Sequence, residues 1–184
     1  MVKLDLSFWT KASTRRKRIY SAIFVFIVAF LLTLIGSLVP ISHQAAQQLV
    51  NPINQTAQQN KNSGTLPQYI FLNNFRICLI MFIPIIGPIF GLISFSYTGY
   101  ILGAESLLQG VPSVFYLLLL LILPFFWLEF ISYSIAISES VWLIRRLLQK
   151  RFREFKNTAI LIGVCAGLLA LGAIIEAWLI SIGV

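Results

Sequence analysis

Histidine occurs once in the 184 residues, at His43, and cysteine twice, at Cys78 and Cys165. The histidine stands in a polar stretch without a second ligand, and both cysteines lie inside apolar runs. That pattern speaks against a His/Cys metal site and against a disulfide framework, so no metal and no cofactor is expected. Charge is scarce too: six acidic residues, and 11% charged residues in all, against about 25% in an ordinary soluble domain. No H-E-x-x-H, P-loop or G-x-S-x-G signature occurs. No histidine lies within an apolar run to activate a serine. Glu129 and Glu139, ten residues apart in mixed sequence, give no firm basis for an acid–base pair. The chain is not expected to be an enzyme.

Hydrophobic residues make up 58% of the chain, too much apolar surface for a water-soluble fold of this size to hide, so lipid is the expected solvent. The first apolar run, 19–39, carries no charge and is closed by Pro40. Its roughly 20 residues match a hydrocarbon core of about 30 Å and exceed the 7–15 of a cleaved signal peptide. It reads as an uncleaved anchor, with Phe8 and Trp9 resting at the interface. Residues 41–68 form a Gln- and Asn-rich loop holding one basic residue, Lys61. Within it, Asn54-Gln55-Thr56 is a glycosylation sequon, a weak signal that makes Asn54 a candidate site. The run 70–107 is too long for one crossing, and Pro84, Gly87 and Pro88 divide it into spans of about 70–86 and 88–107. A turn at 109–113 leads into an apolar run over 114–131, interrupted by Pro124. Mixed sequence follows over 132–148, and a last span covers 158–182. The predicted fold is all-α: a polytopic transmembrane helix bundle of about five crossings, with broken helices near Pro84–Pro88 and Pro124.

The net charge of +8 is concentrated in two places. Six of the 14 basic residues fall in 1–18 and six in 145–156, each group abutting an apolar run. This is the positive-inside signature of membrane topology, and it argues against a nucleic-acid partner. The expected organisation is a basic cytoplasmic N-terminus (1–18) and one transmembrane domain (19–182), with an outer polar loop at 41–68 and a cytoplasmic basic segment at 145–157. The chain is thus expected to be a multi-pass protein of the cell membrane, partnered by the bilayer and by other membrane proteins or copies of itself.

Ionisable groups within a bilayer are costly and usually face the bundle interior. Asn73, Asn74, Arg76, Glu105, Glu129 and Glu176 are therefore expected to form a buried polar core, with Arg76 paired to Glu105 or Glu176. Such a core serves either as a site for an ion, proton or polar substrate, or as an ion pair that fixes helix register. Close helix packing is expected at the G-x-x-x-G pairs Gly87/Gly91, Gly99/Gly103 and Gly163/Gly167. In the last helix, Gly163, Ala166, Gly167, Ala170, Ala173 and Ala177 follow three- and four-residue steps and form one smooth stripe.

The order of these motifs resembles the stage II sporulation protein M family. The segment Ile70-Phe71-Leu72-Asn73-Asn74-Phe75-Arg76 is similar to the family's Asn-rich opening of its second span. The series Gly87, Gly91, Gly99 and Gly103 follows, with Thr98-Gly99 where the family has Asn-Gly. Leu123-Pro124-Phe125-Phe126-Trp127-Leu128-Glu129 is similar to Leu-Pro-His-Gly-x-x-Glu, with Phe125 and Phe126 in place of His-Gly. Ala173-Ile174-Ile175-Glu176-Ala177-Trp178 is similar to the closing Ala-x-Ile-Glu-Ala-Phe. The resemblance implies that Arg76, Glu129 and Glu176 belong to a polar core. In spore formers it implies a scaffold that gathers peptidoglycan-cleaving partners. A non-enzymatic scaffold or subunit of a membrane assembly is thus the first functional expectation. A small permease or channel-like component with a buried Arg/Glu site is the alternative.

Overall fold

The computed structural model describes residues 13–149 and 155–182, and all regular structure among them is helical. The elements are α1 (Thr14–Ser37), α2 (His43–Asn62), α3 (Leu66–Met81), α4 (Ile86–Leu108), α5 (Ser113–Ile122), α6 (Pro124–Leu148) and α7 (Phe155–Ile182). The basic segments 1–18 and 145–157 lie partly outside the described residues, as do Phe8 and Trp9.

Three helices are long and apolar enough to cross a bilayer: α1, α4 and the Lys156–Ile182 part of α7. The pair α5–α6, bent by 91° at its break, adds a fourth if taken as one broken span. The 16 residues of α3 reach about 24 Å. This helix runs antiparallel to α7, its Leu66 and Ile70 packing with Ala177 and Ala173. About five crossings are compatible with this arrangement.

Residues 41–68, expected as a polar loop, are largely helical. Most of them form α2, which is capped where Ser42 Oγ accepts from Ala45 N at 3.3 Å. Ala46 and Val50, one turn apart, bury against Ala104 of α4, and Ala57 packs on the Leu66–Ala177 cluster. Lys61 Nζ donates to Ile180 O of α7 at 2.8 Å. Glutamine and asparagine dominated the composition and hid a narrow apolar stripe at four-residue spacing, enough to seat a helix across one end of the bundle.

The central contact is between α1 and α4, and glycine sets its closeness. A Cβ on Gly99 would lie 2.1 Å from Thr33 O, and one on Gly36 would lie 2.2 Å from Ser96 O. Thr33 Oγ1, fully buried, donates to Ala29 O at 3.0 Å and lies 3.3 Å from Phe95 O across the interface. Beside this seam, Phe95, Phe126, Phe130 and Tyr133 form an aromatic core, with Phe126 stacked on Phe130 at 4.1 Å between ring centroids.

The break expected near Pro84–Pro88 is a tight turn between α3 and α4. Ile85 takes φ 70°, strained for a β-branched side chain, and Ser140 Oγ donates to the turn's Ile83 O at 2.9 Å. The break at Pro124 is sharper. Leu123 is extended, and the indole of Trp127 donates to Leu121 O at 2.8 Å. One of the carbonyls stranded at the end of α5 by the break is thereby satisfied.

The small-residue stripe of α7 is divided. Ala173 and Ala177 are buried, whereas Gly163 and Gly167 are exposed, with nothing within 4 Å of a Cβ built at either. The buried face of α7 instead runs through Cys165, Leu169, Ala173 and Ala177. The expected packing at Gly163/Gly167 is therefore not made within the described chain. Gly87, Gly91, Gly99 and Gly103 are all buried in it.

Candidate functional site

Polar side chains gather at three levels of the bundle. In the interior, Asn74 Nδ2 donates to Glu129 Oε1, joining α3 to α6. Asn73 Nδ2 donates to Asn74 Oδ1 at 3.2 Å, although Asn73 itself is exposed. Glu176 of α7 lies within electrostatic reach of Glu129, and Tyr133 within reach of both. Cys78 and Cys165, each fully buried and free, meet beneath this group, and the Cys165 thiol is 3.5 Å from Ser132 O. Glu129 and Glu176 thus share a partly buried site supplied with hydroxyl and amide groups, and neither forms an ion pair among the described residues.

Arg76 does not join them. It is exposed on α3, on a face shared with Tyr69, Leu72, Asn73 and Leu79, and it meets no carboxylate among the described residues. The expected pairing with Glu105 or Glu176, and the burial of Asn73 and Arg76, are corrected accordingly. Four-residue steps set the division: positions 70, 74 and 78 of α3 turn toward α6 and α7, and positions 69, 72, 73 and 76 turn away. Glu105 is held elsewhere, accepting from Tyr116 Oη at 2.8 Å between α4 and α5.

The third group centres on Glu139, considered in the sequence only as a doubtful acid partner of Glu129. Glu139 of α6, 2% exposed, accepts from Arg146 Nη1 at 2.7 Å and from Thr158 Oγ1 at 2.8 Å. Arg18 Nε lies 4.0 Å from its other oxygen. One turn away, Ser21 Oγ is 2.6 Å from Ser138 Oγ and accepts from Trp142 Nε1 at 3.0 Å. This network ties the start of α1, the end of α6 and the start of α7 together, so the described parts of both basic clusters share one end of the bundle. The seven-residue spacing of Glu139 and Arg146, two turns on one helix face, was the signal available for it. Asn54 and His43 are exposed on α2 at the opposite end. Among the described residues no group of three or more His, Cys, Asp or Glu side chains could hold a metal ion.

Apolar helices of spanning length, bundled around an interior polar group, define a multi-pass helical membrane protein. The family model for stage II sporulation protein M matches residues 22–180, and the chain belongs to that family. No curated protein and no solved structure matches it. Against the family pattern, Phe126, which stands where the pattern has glycine, is a core residue stacked on Phe130. Thr98, in place of asparagine, is exposed beside Gly99.

Proposed function

We propose that this chain works as a non-enzymatic scaffold or integral subunit of a larger assembly in the cell membrane, with its basic end in the cytoplasm. The observation that carries the reading is Arg76. It stands on an outward face of α3 two residues before Cys78, which packs against Cys165 near the middle of α7. A guanidinium facing lipid at such depth costs about 2.5–3.5 kcal/mol on insertion scales. A carboxylate or carbonyl on a neighbouring protein removes that cost. Exposed Gly163 and Gly167 add a second outward place where another helix fits closely. The orientation follows from lysine and arginine holding the cytoplasmic side. The resemblance to family members that gather peptidoglycan-cleaving partners in spore formers points the same way.

Purification in mild detergent tests this through the mass of the particle. A stoichiometric complex or homo-oligomer is expected, and Arg76→Leu should release the chain from it while leaving the monomer folded. A lone wild-type monomer, in gentle detergents and in native membranes after crosslinking, overturns the reading.

A second reading, a small transport component, is favoured by the Asn74–Glu129–Glu176 group next to a helix break, since broken helices often line cavities in transporters. Proton or cation flux in proteoliposomes that vanishes with Glu176→Gln would support it. Background flux from folded wild-type protein would remove it.

A further inference from the structure

We propose that the cleft at the basic end, between α1, α6 and α7, is a binding site for one anionic phospholipid. The cleft encloses about 420 Å³, within the range of small-molecule sites. Its lining changes character with depth because three helix faces converge in register. On α1, Arg15 and Arg18 lead, one turn apart, and Ile19 and Ala22 continue the same stripe deeper into the bundle. On α7, Asn157 stands at the mouth, with Ile160 and Leu161 below it. A polar, cationic rim over an apolar wall matches a lipid, with a phosphate at the rim and acyl chain along the wall. A free phosphate finds no use for the wall, and an uncharged hydrocarbon none for the rim.

Among the described lining residues the one carboxylate, Glu139, does not cancel the attraction. Arg146 holds it at 2.7 Å from behind, so among the described residues Arg15, Arg18 and Arg146 set three guanidinium groups against this carboxylate. Arg18, which also lines the cleft, lies 4.0 Å from Glu139 and is 22% exposed. Arg15 is exposed at the rim. A zwitterionic lipid brings its own cation to this rim and loses the advantage.

Native mass spectrometry of protein extracted from nanodiscs of equal phosphatidylglycerol and phosphatidylcholine tests the site. One phosphatidylglycerol per chain should be retained in preference to phosphatidylcholine. Arg15→Gln should lower that preference about fivefold, and the double variant with Arg18→Gln further, each basic group adding a comparable increment. Arg145→Gln, which removes the same charge outside the cleft, should leave it intact. Ala22→Trp, which fills the apolar wall with every arginine present, should abolish retention. Excess inorganic phosphate or glycerol phosphate should not displace the lipid. Should Arg18→Gln fold poorly, Arg15→Gln and Ala22→Trp decide alone. Equal retention of the two lipids, an Arg145→Gln effect as large as that of Arg15→Gln, or displacement by soluble phosphate overturns the proposal.

Discussion

Replacing Gly99 by alanine tests the packing logic of the bundle with a single methyl group. The added Cβ would lie 2.1 Å from Thr33 O, 2.8 Å from Thr33 C and 2.9 Å from Thr33 Cα. All three atoms are backbone, so no rotamer change relieves the clash. The axes of α1 and α4 must part by about 1 Å to restore ordinary contact, weakening the Thr33 contact with Phe95 O and loosening the neighbouring aromatic core. Overpacking of this kind costs about 1–3 kcal/mol, and the backbone obstacle puts Gly99→Ala near the upper end. Gly163→Ala is the matched control: the same residue pair and also a G-x-x-x-G position, but with nothing within 4 Å of the new methyl. There the monomer should hold its stability or gain up to about 1 kcal/mol from helix propensity. Reversible unfolding in mixed micelles, followed by tryptophan fluorescence on monomeric protein, gives both numbers. Equal stability of Gly99→Ala and wild type would refute the close α1–α4 approach.

Other consequences are equally direct. Glu139→Leu leaves Arg146 buried beside Thr158 without its carboxylate and should cost about 3–5 kcal/mol by analogy with soluble proteins. The double variant with Arg146→Leu should recover most of that loss in the same denaturation assay, and a double variant no better than the single would contradict the pairing. Cys78 and Cys165, both fully buried, should resist a membrane-permeant maleimide until the protein is unfolded; prompt labelling of folded protein would place them elsewhere. Trp127→Phe removes the indole donor to Leu121 O and should cost about 1 kcal/mol, a loss that unchanged unfolding would deny.

The membrane class and the two proline breaks were legible because they rest on composition and on the chemistry of one residue type. The interior polar group was legible only in part. Scarcity marks a charged residue in an apolar run as notable, but the side it faces depends on the rotation of its helix. Two positions along α3, about 200° around its axis, separate Asn74, bonded to Glu129, from Arg76, facing outward. The three glycine pairs look alike in sequence, yet only neighbours distant along the chain distinguish Gly99, pressed on Thr33, from Gly163 in open space. The α2 helix was obscured by the opposite bias: its glutamines and asparagines suggested a loop, and its two buried positions, Ala46 and Val50, are too small to stand out. Glu139 could be read in the sequence only beside Glu129, because its actual partners come from three helices that meet at one end of the bundle.

The ten residues of α5 extend about 15 Å, half the thickness of the hydrocarbon layer. Such a piece cannot leave the protein-conducting channel as an independent unit, because its last carbonyls would meet acyl chains with nothing to bond. The residue that answers one of them, Trp127, is synthesised only after the break. Release of α5 into the bilayer must therefore wait until the first turn of α6 has emerged, making the two unequal pieces a single step of insertion.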